Sequence, residues 1–284
     1  MHAGRVSLSA AAVGWRSRAA PSRPGGLYLC CWLLGSLLTA FLTVPLIALA
    51  MTQTRASLAG VAGMGDVRDA ILLSLEGALL SAAFAALLGI PLAYGLARTS
   101  FPGKGIIAAL IDLPLAVPHT VAGIALLMVF GRRGLFGEPL QALGLRFWGS
   151  LAGVVVAMLF VSAPYAVNAA RIGFEAVDPR LEKIARTLGL GPWGSFFRIT
   201  LPLARRSIMT GVTLAYARSV SEFGAVIILV YYPMTAPVKI YELFLRFGLE
   251  QSAAAAVLLL IVSLSLFVLL RLLAQRGASA AETR

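Results

Sequence analysis

Residues 175–202 read EAVDPRLEKIARTLGLGPWGSFFRITLP, a segment rich in charged residues that separates two long apolar stretches. Asp178 is a residue type suited to a helix N-cap, and Pro179 suits the first helical position. Gly189 suits the left-handed residue that follows a helix. Between these ends, apolar residues recur at i, i+3, i+4 and i+7, namely Leu181, Ile184, Ala185 and Leu188. The segment therefore predicts a short helix with one apolar stripe, followed by a further turn after Pro192.

The stretches around this segment are too apolar for a soluble protein. The chain has 284 residues, of which 59% are hydrophobic and 13% charged, and its mean hydropathy is +0.88. Six apolar runs have the roughly 20 residues that a helix needs to cross a hydrocarbon core about 30 Å thick. These runs are 27–51, 70–97, 106–130, 148–170, 208–232 and 253–273. Because they are continuous rather than alternating, they predict an all-α membrane protein with six transmembrane helices.

The formal net charge of +12 could indicate a nucleic acid partner, but its distribution indicates membrane orientation instead. If the N-terminus is cytoplasmic, most Lys and Arg residues fall in the two tails and in the loops after the second and fourth runs, all on one side. This asymmetry predicts a multi-pass protein of the plasma (inner) membrane with both termini in the cytoplasm and no nucleic acid partner. The predicted layout is a basic tail at 1–26, a transmembrane domain at 27–273 with a cytoplasmic loop at 171–206, and a cytoplasmic tail at 274–284.

The first apolar run could instead belong to a cleaved signal peptide, because the tail before it is basic and has no acidic residue. The apolar core of a signal peptide has about 7 to 15 residues, and this run is longer. We therefore expect an uncleaved membrane anchor.

The apolar stripe of the predicted loop helix must be buried either on the bilayer surface or against a partner protein. The spacing of the surrounding residues supplies a resemblance. The run from Ala185 to Gly189, followed by nine residues, Ile199 and then Leu201-Pro202, resembles the EAA loop of ABC importer permeases. In that family the short helix docks into a groove on the ATPase subunit, so the resemblance implies a type I ABC importer permease fold and a partner protein.

The resemblance also implies which residues couple the permease to the ATPase. Lys183 and Ile184 stand where the family pattern has a Glu and an Ala, and Glu182 keeps an acid one position earlier. The implied coupling residues are Glu182, Lys183, Ala185, Gly189, Ile199, Leu201 and Pro202.

Nucleotide chemistry is expected on another chain. The sequence around Lys104 has a Gly-Lys pair, but Arg98 stands where a phosphate-binding loop has its first glycine, and Gly105 replaces the Ser or Thr that would hold magnesium. With His2 and His119 as the only histidines, no catalytic cluster is apparent. We expect no cofactor in this chain and no enzymatic activity, with ATP and Mg²⁺ bound by a separate ATPase.

Four further segments resemble the permeases of molybdate and tungstate importers: PLAVPHTVAG at 114–123, SAPYAVN at 162–168, SEFGA at 221–225 and YYPMTAP at 231–237. This resemblance implies import of an oxyanion by alternating access, with an extracytoplasmic substrate-binding protein. Sulfate and thiosulfate permeases are near neighbours and remain an alternative substrate class. Because one chain of six spans offers half of a two-sided pathway, we expect a homodimer with two ATPase chains, and a heterodimer with a related permease is the alternative.

Charged residues inside the predicted spans are the candidates for a translocation pathway, since a charge at the centre of a membrane helix costs about 2.5–3.5 kcal/mol. Arg218 and Glu222 are four residues apart and can pair, either to fix helix packing or to line the pathway. His119, between Pro118 and Thr120 at a predicted kink, is a packing residue or a hydrogen-bond donor to the anion. An ion-coupled secondary transporter would also explain such charges, but it would be expected to show repeated broken helices in both halves.

Overall fold

The computed structural model describes residues 26–279, with side chains through residue 272, and every regular element in this part of the chain is helical. The helices are α1 (Gly26–Met51), α2 (Arg55–Ala62), α3 (Gly65–Arg98), α4 (Lys104–Ala116), α5 (His119–Phe130), α6 (Gly137–Ala142), α7 (Leu151–Glu175), α8 (Pro179–Thr187), α9 (Pro192–Ser195), α10 (Leu201–Val220), α11 (Gly224–Leu229), α12 (Ala236–Phe247) and α13 (Leu249–Ser279), and a π-helical turn (Phe196–Thr200) joins α9 to α10. The all-α prediction is confirmed. Residues 1–25 of the predicted basic tail and residues 280–284 of the predicted C-terminal tail lie outside the described residues.

The described residues divide into two units, α1 by itself and the chain from Thr52 onward. α1 is a continuous apolar helix that contains Pro45. Its bounds agree with the first predicted apolar run to within one residue.

The centre of the second unit is formed by α3, α7 and α10, which pack against one another. Small residues on α3, among them Ala78 and Ala82, let the helices approach closely, as is usual for helix pairs in lipid. Three buried serines meet where the helices cross, because the Ser81 Oγ lies 3.2 Å from the Ser162 Oγ and 3.1 Å from the Ser219 Oγ. Because buried hydroxyls need hydrogen-bond partners, these contacts favour one register of the three helices.

The prediction of six continuous spans is not confirmed. Among the described residues, four helices are long and apolar enough to cross a membrane, namely α1, α3, α7 and α13. The predicted span 106–130 is wrong as a single helix, since α4 and α5 meet at an angle of 112°. Pro118 has no N–H to continue the helix and disfavours helical backbone at Val117, which is extended at φ −81° and ψ 129°. Counted as one crossing, the bent pair makes a fifth span.

The predicted span 208–232 is also not one helix. α10 begins before it, at Leu201, and ends at Val220, and the short α11 starts only at Gly224. α10 contains Arg205, Arg206 and Arg218, which lowers its apolar character below that of the other long helices. In the last predicted span the structure extends the helix instead, because α13 runs to Ser279, into the predicted C-terminal tail.

Candidate functional site

The loop helix α8 has the ends that its sequence predicts. The Asp178 carboxylate accepts a hydrogen bond from the Arg180 backbone N–H at 2.8 Å, and Pro179 is the first helical residue. At the other end Gly189 has φ +91°, and the N–H of Leu190 donates to the Ala185 carbonyl oxygen at 3.1 Å. A left-handed residue followed by such a backward hydrogen bond is a common helix exit. Glycine adopts the left-handed conformation readily. The capped bounds of α8 are therefore confirmed.

Most of the apolar stripe of α8 is not covered by the described part of the chain. Leu181 is 42% exposed, Ile184 55% and Leu188 80%, whereas Ala185 is turned inward and buried. The neighbouring turn adds Trp193 and Phe197, which stack on each other and are both exposed. We call the side chains of Leu181, Ile184, Leu188, Trp193 and Phe197 the loop surface. Clustered exposed apolar side chains of this kind mark a surface that binds a protein or a membrane.

Glu182 faces the opposite way from the loop surface. Its carboxylate is buried and accepts hydrogen bonds from the Arg98 Nε at 2.7 Å, the Tyr94 Oη at 3.0 Å and the Thr200 Oγ1 at 2.8 Å. Arg98 also donates to the Val177 carbonyl oxygen at 3.0 Å. We call Glu182, Arg98, Tyr94 and Thr200 the Glu182 clamp. Because the Glu182 carboxylate is paired within the chain, its predicted part in coupling would act through the position of α8 and not through a direct ionic contact with the ATPase.

The Glu182 clamp joins three separate parts of the chain. Tyr94 and Arg98 lie in the last turns of α3, Glu182 lies on α8, and Thr200 ends the π-helical turn. The Tyr94 ring is held edge-on by Phe174 of α7 and by Phe196. The orientation of α8 is therefore fixed by a buried ion pair and an aromatic cluster at the end of a long membrane helix.

The ionisation of Glu182 is stable at neutral pH. Burial by itself would raise the pKa of Glu182, but the hydrogen bonds from Thr200, Arg98 and Tyr94 together hold the pKa below its ordinary value. A carboxyl group with a lowered pKa in the folded state contributes stability above its unfolded pKa, and this stability is lost as the pH falls through the lowered value. The Glu182 carboxylate therefore stays ionised across the whole neutral pH range.

The other predicted coupling residues do not converge on the loop surface. Lys183 is exposed beside the stripe of α8, while Ile199 and Leu201 are half-buried where the chain returns to the membrane helices. Leu201 packs on the cluster around Phe174, and the exposed Pro202 is the second residue of α10. Their positions anchor the end of the loop. The Tyr94, Arg98 and Thr200 members of the clamp are not predicted from the sequence, in which Arg98 stands out only as a mismatch to a phosphate-binding loop.

A second polar cluster lies at the two helix breaks. The Arg218 Nη2 lies 2.7 Å from the Glu222 Oε2 and 2.8 Å from the His119 Nε2, and the His119 Nδ1 lies 3.7 Å from the Glu222 Oε2. The side chain of Glu222 is 1% exposed, that of Arg218 20% and that of His119 46%. The predicted pairing of Arg218 with Glu222 is therefore present. Of the two roles predicted for His119, the half-exposed ring beside the ion pair favours the polar one over simple packing.

The two helix breaks are brought together by a close contact of α5 with α11. A Cβ atom at Gly224 would lie 2.7 Å from the His119 Cβ, so only glycine allows this approach. Glu222 is fixed from the other side, because its Oε1 accepts the Ala225 N–H at 2.8 Å at the start of α11. Pro118 and Thr120 are exposed beside His119. The structure thus gathers the five predicted pathway residues at one place, and Glu222 is the most buried of them.

The side chains of this cluster offer hydrogen-bond donors and are not grouped as metal ligands. Within residues 26–279, no group of three or more His, Cys, Asp or Glu side chains is placed to hold a metal ion. The Arg218 guanidinium is permanently charged and presents a planar fork of N–H donors, which matches carboxylates and tetrahedral oxyanions.

Comparison with known proteins places these features in a family. Residues 85–278 match the family described as binding-protein-dependent transport system inner membrane component. The chain is 44% identical to the molybdate/tungstate transport system permease protein of Thermococcus kodakarensis over 245 residues, which cover 86% of this chain and 94% of that protein. It is 41% identical to the molybdenum transport system permease protein of Escherichia coli strain K12 over 212 residues, covering 73% and 91%.

The fold is also that of a solved transporter. A chain of a bacterial ABC transporter involved in the import of the acidic polysaccharide alginate superimposes with a TM-score of 0.71 and 19% identity, covering 88% of this chain and 96% of that chain. At this level of identity the likeness concerns the fold alone.

Proposed function

Because this chain belongs to the family of binding-protein-dependent transport system inner membrane components, we propose that it is the permease subunit of an ATP-driven importer of molybdate or tungstate. It is a transport component and not an enzyme. The relatives named for molybdate and tungstate support this substrate class over sulfate, since they are 41–44% identical to this chain. ATP and Mg²⁺ bind to a separate ATPase chain.

The observation that carries the proposal is the exposed stripe on a rigidly capped helix. The apolar side chains of Ile184 and Leu188 project away from the described part of the chain, while Glu182 on the opposite face is tied to α3. A groove on the ATPase covers the stripe, and the Glu182 clamp passes movement of α8 to the membrane helices. ATP binding by the ATPase then drives alternating access as a rigid rocking of the helix bundle.

The membrane arrangement that we propose keeps six crossings. The bent pair α4 and α5 forms the third crossing, and α10 together with α11 forms the fifth. This places the loop from 171 to 206 and both chain termini in the cytoplasm, as the distribution of Lys and Arg indicates. Two copies of the chain assemble as a homodimer with two ATPase chains, and a substrate-binding protein delivers the oxyanion from outside.

The direct test of this function is uptake by the reconstituted importer. We expect proteoliposomes that contain the permease, its ATPase and its binding protein to accumulate radiolabelled molybdate and tungstate only when ATP is present. An excess of unlabelled tungstate should abolish molybdate uptake, and an equal excess of sulfate should not. Preference for sulfate would overturn the substrate class, while full uptake without the ATPase would overturn the importer.

The role of the loop surface is tested by one substitution in the middle of its stripe. Ile184→Glu places a charge where the ATPase groove excludes water, so we expect the amount of ATPase that co-purifies with the tagged permease to fall about fivefold. Ile184→Leu keeps the apolar contact and should retain the ATPase. Equal recovery of the ATPase with the Glu variant would show that α8 docks elsewhere, for example on the bilayer.

A further inference from the structure

We infer that Arg218 forms a transient binding site for the transported oxyanion, and that the Glu222 carboxylate competes with the oxyanion for the Arg218 guanidinium. This inference rests on the proposed function and names the place inside the permease where the substrate pauses. The site is the cluster of Arg218, Glu222 and His119 at the two helix breaks.

The position of the cluster favours a water-filled pathway over contact with lipid. The breaks at Pro118 and at residues 221–223 lie inside the proposed third and fifth crossings, between α4 and α5 and between α10 and α11. Polar side chains at this depth are costly against hydrocarbon, yet His119, Thr120 and Ser221 are all exposed. A surface with this character is covered by the pathway between two copies of the chain.

Arg218 has the donors that such a substrate needs. Its Nη2 is shared between Glu222 and His119. Its Nη1 donates a long hydrogen bond, 3.2 Å, to the Oγ of the exposed Ser221. Because the guanidinium can only donate, the His119 Nε2 at 2.8 Å acts as the acceptor. An oxygen of the oxyanion would accept the Arg218 Nη2–H at the position that the His119 Nε2 now occupies. The His119 ring is half-exposed, so the substrate can displace it.

Glu222 cannot follow the substrate, because both of its oxygens are engaged and its side chain is buried. A tetrahedral dianion that reaches Arg218 therefore meets a guanidinium already shared with a fixed carboxylate. The two anions repel each other across one cation, so the oxyanion is held weakly and released once the pathway opens to the other side. A binding site in a permease must release its substrate, and the competition between Glu222 and the oxyanion for Arg218 favours that release.

The rival explanation is that the pair only fixes helix packing, and a double variant separates the two. A structural pair that loses both charges recovers, since neither partner remains buried and unpaired. An anion site that loses its arginine does not recover when Glu222 is also neutralised. We therefore expect both Arg218→Gln and the double variant Arg218→Gln/Glu222→Gln to lower the initial rate of tungstate uptake about fivefold in the reconstituted importer.

Glu222→Gln alone gives a readout that does not depend on transport. Glutamine still accepts the Ala225 N–H but no longer competes for Arg218, so the complex purified in tungstate and then desalted should retain about fivefold more tungsten than the wild type. The matched control for Arg218→Gln is Arg246→Gln, which breaks a pair of the same spacing and the same 2.7 Å distance, between an exposed Arg246 and a half-buried Glu242. This control should change neither uptake nor retained tungsten.

The outcomes distinguish this site from the function on which it rests. If the wild-type importer takes up neither molybdate nor tungstate, the proposed function is overturned. Normal uptake by the double variant, or no gain of tungsten with Glu222→Gln, would overturn the site and leave the importer standing. If Arg218→Gln fails to fold, the tungsten retained by Glu222→Gln decides.

Discussion

Replacing Glu182 by alanine should lower ATP-driven uptake about a hundredfold, because removing one partner of a buried ion pair costs about 3–5 kcal/mol. The substitution leaves the Arg98 guanidinium, whose side chain is 12% exposed, without its carboxylate. It also removes the acceptor of the Tyr94 and Thr200 hydroxyls. α8 then loses its polar ties to α3, while the exposed loop surface keeps its side chains. The measurement is the initial rate of molybdate uptake, normalised to the amount of folded permease.

Two variants show whether the effect belongs to the buried ion pair. Glu175→Ala breaks the nearby Arg171–Glu175 pair, in which the Glu175 side chain is 49% exposed and the closest atoms are 3.8 Å apart. Exposed pairs are worth about 0–1 kcal/mol, so this variant should transport normally. Glu182→Gln keeps an acceptor for Arg98 and should lie between the wild type and Glu182→Ala. A normal rate with Glu182→Ala would mean that α8 needs no fixed orientation to work.

The bounds of α8 could be predicted because their causes are local. The Asp178 cap, the proline after it and the left-handed Gly189 act within a few residues of the helix that they delimit. The spacing of Leu181, Ile184 and Leu188 likewise follows from the period of one helix. Sequence alone left open what covers this stripe, and the resemblance to a family was needed to favour a partner protein over lipid.

The direction of Glu182 could not be predicted, because its partners are distant in sequence. Arg98 is 84 residues away, and only the packing of α3 against α7 brings it to the loop. A charged residue such as Arg98 at the end of a long helix is usually exposed, so the sequence gives no sign that it forms a buried pair. The same limit applies to His119, which meets Arg218 across 99 residues of sequence.

The two helix breaks differ in how well the sequence predicts them. Pro118 gives a local reason for the bend between α4 and α5, although an apolar run through it still favours one span. No proline marks the interruption between α10 and α11, where the Glu222 carboxylate caps the new helix. This break follows from a tertiary requirement, since it lets Gly224 contact the backbone of α5. Apolar run length therefore does not by itself locate the ends of the helices.

Gly189→Val should lower uptake about tenfold, because a side chain at a left-handed residue costs roughly 1–2 kcal/mol, a factor of about 5–30 in a conformational equilibrium. Gly189 has φ +91°, and a Cβ atom there would meet nothing within 4 Å. The strain is thus purely that of the backbone, and a β-branched residue resists this conformation strongly. Relief of the strain breaks the exit of α8 and displaces Leu188 from the stripe. We expect the amount of permease in the membrane to be unchanged and the co-purified ATPase to fall together with uptake.

Gly191→Val is the matched control for this prediction, since it adds the same side chain two residues later. Gly191 has φ −68° and ψ 171°, which valine adopts without strain, and a Cβ atom there also meets nothing within 4 Å. Transport by this variant should stay near the wild-type rate. Equal losses in both variants would place the effect in added bulk near the loop surface, and normal transport by Gly189→Val would remove the helix exit from the coupling mechanism. Because an added Cβ atom meets nothing within 4 Å at either glycine, the comparison separates backbone strain at the exit of α8 from added bulk.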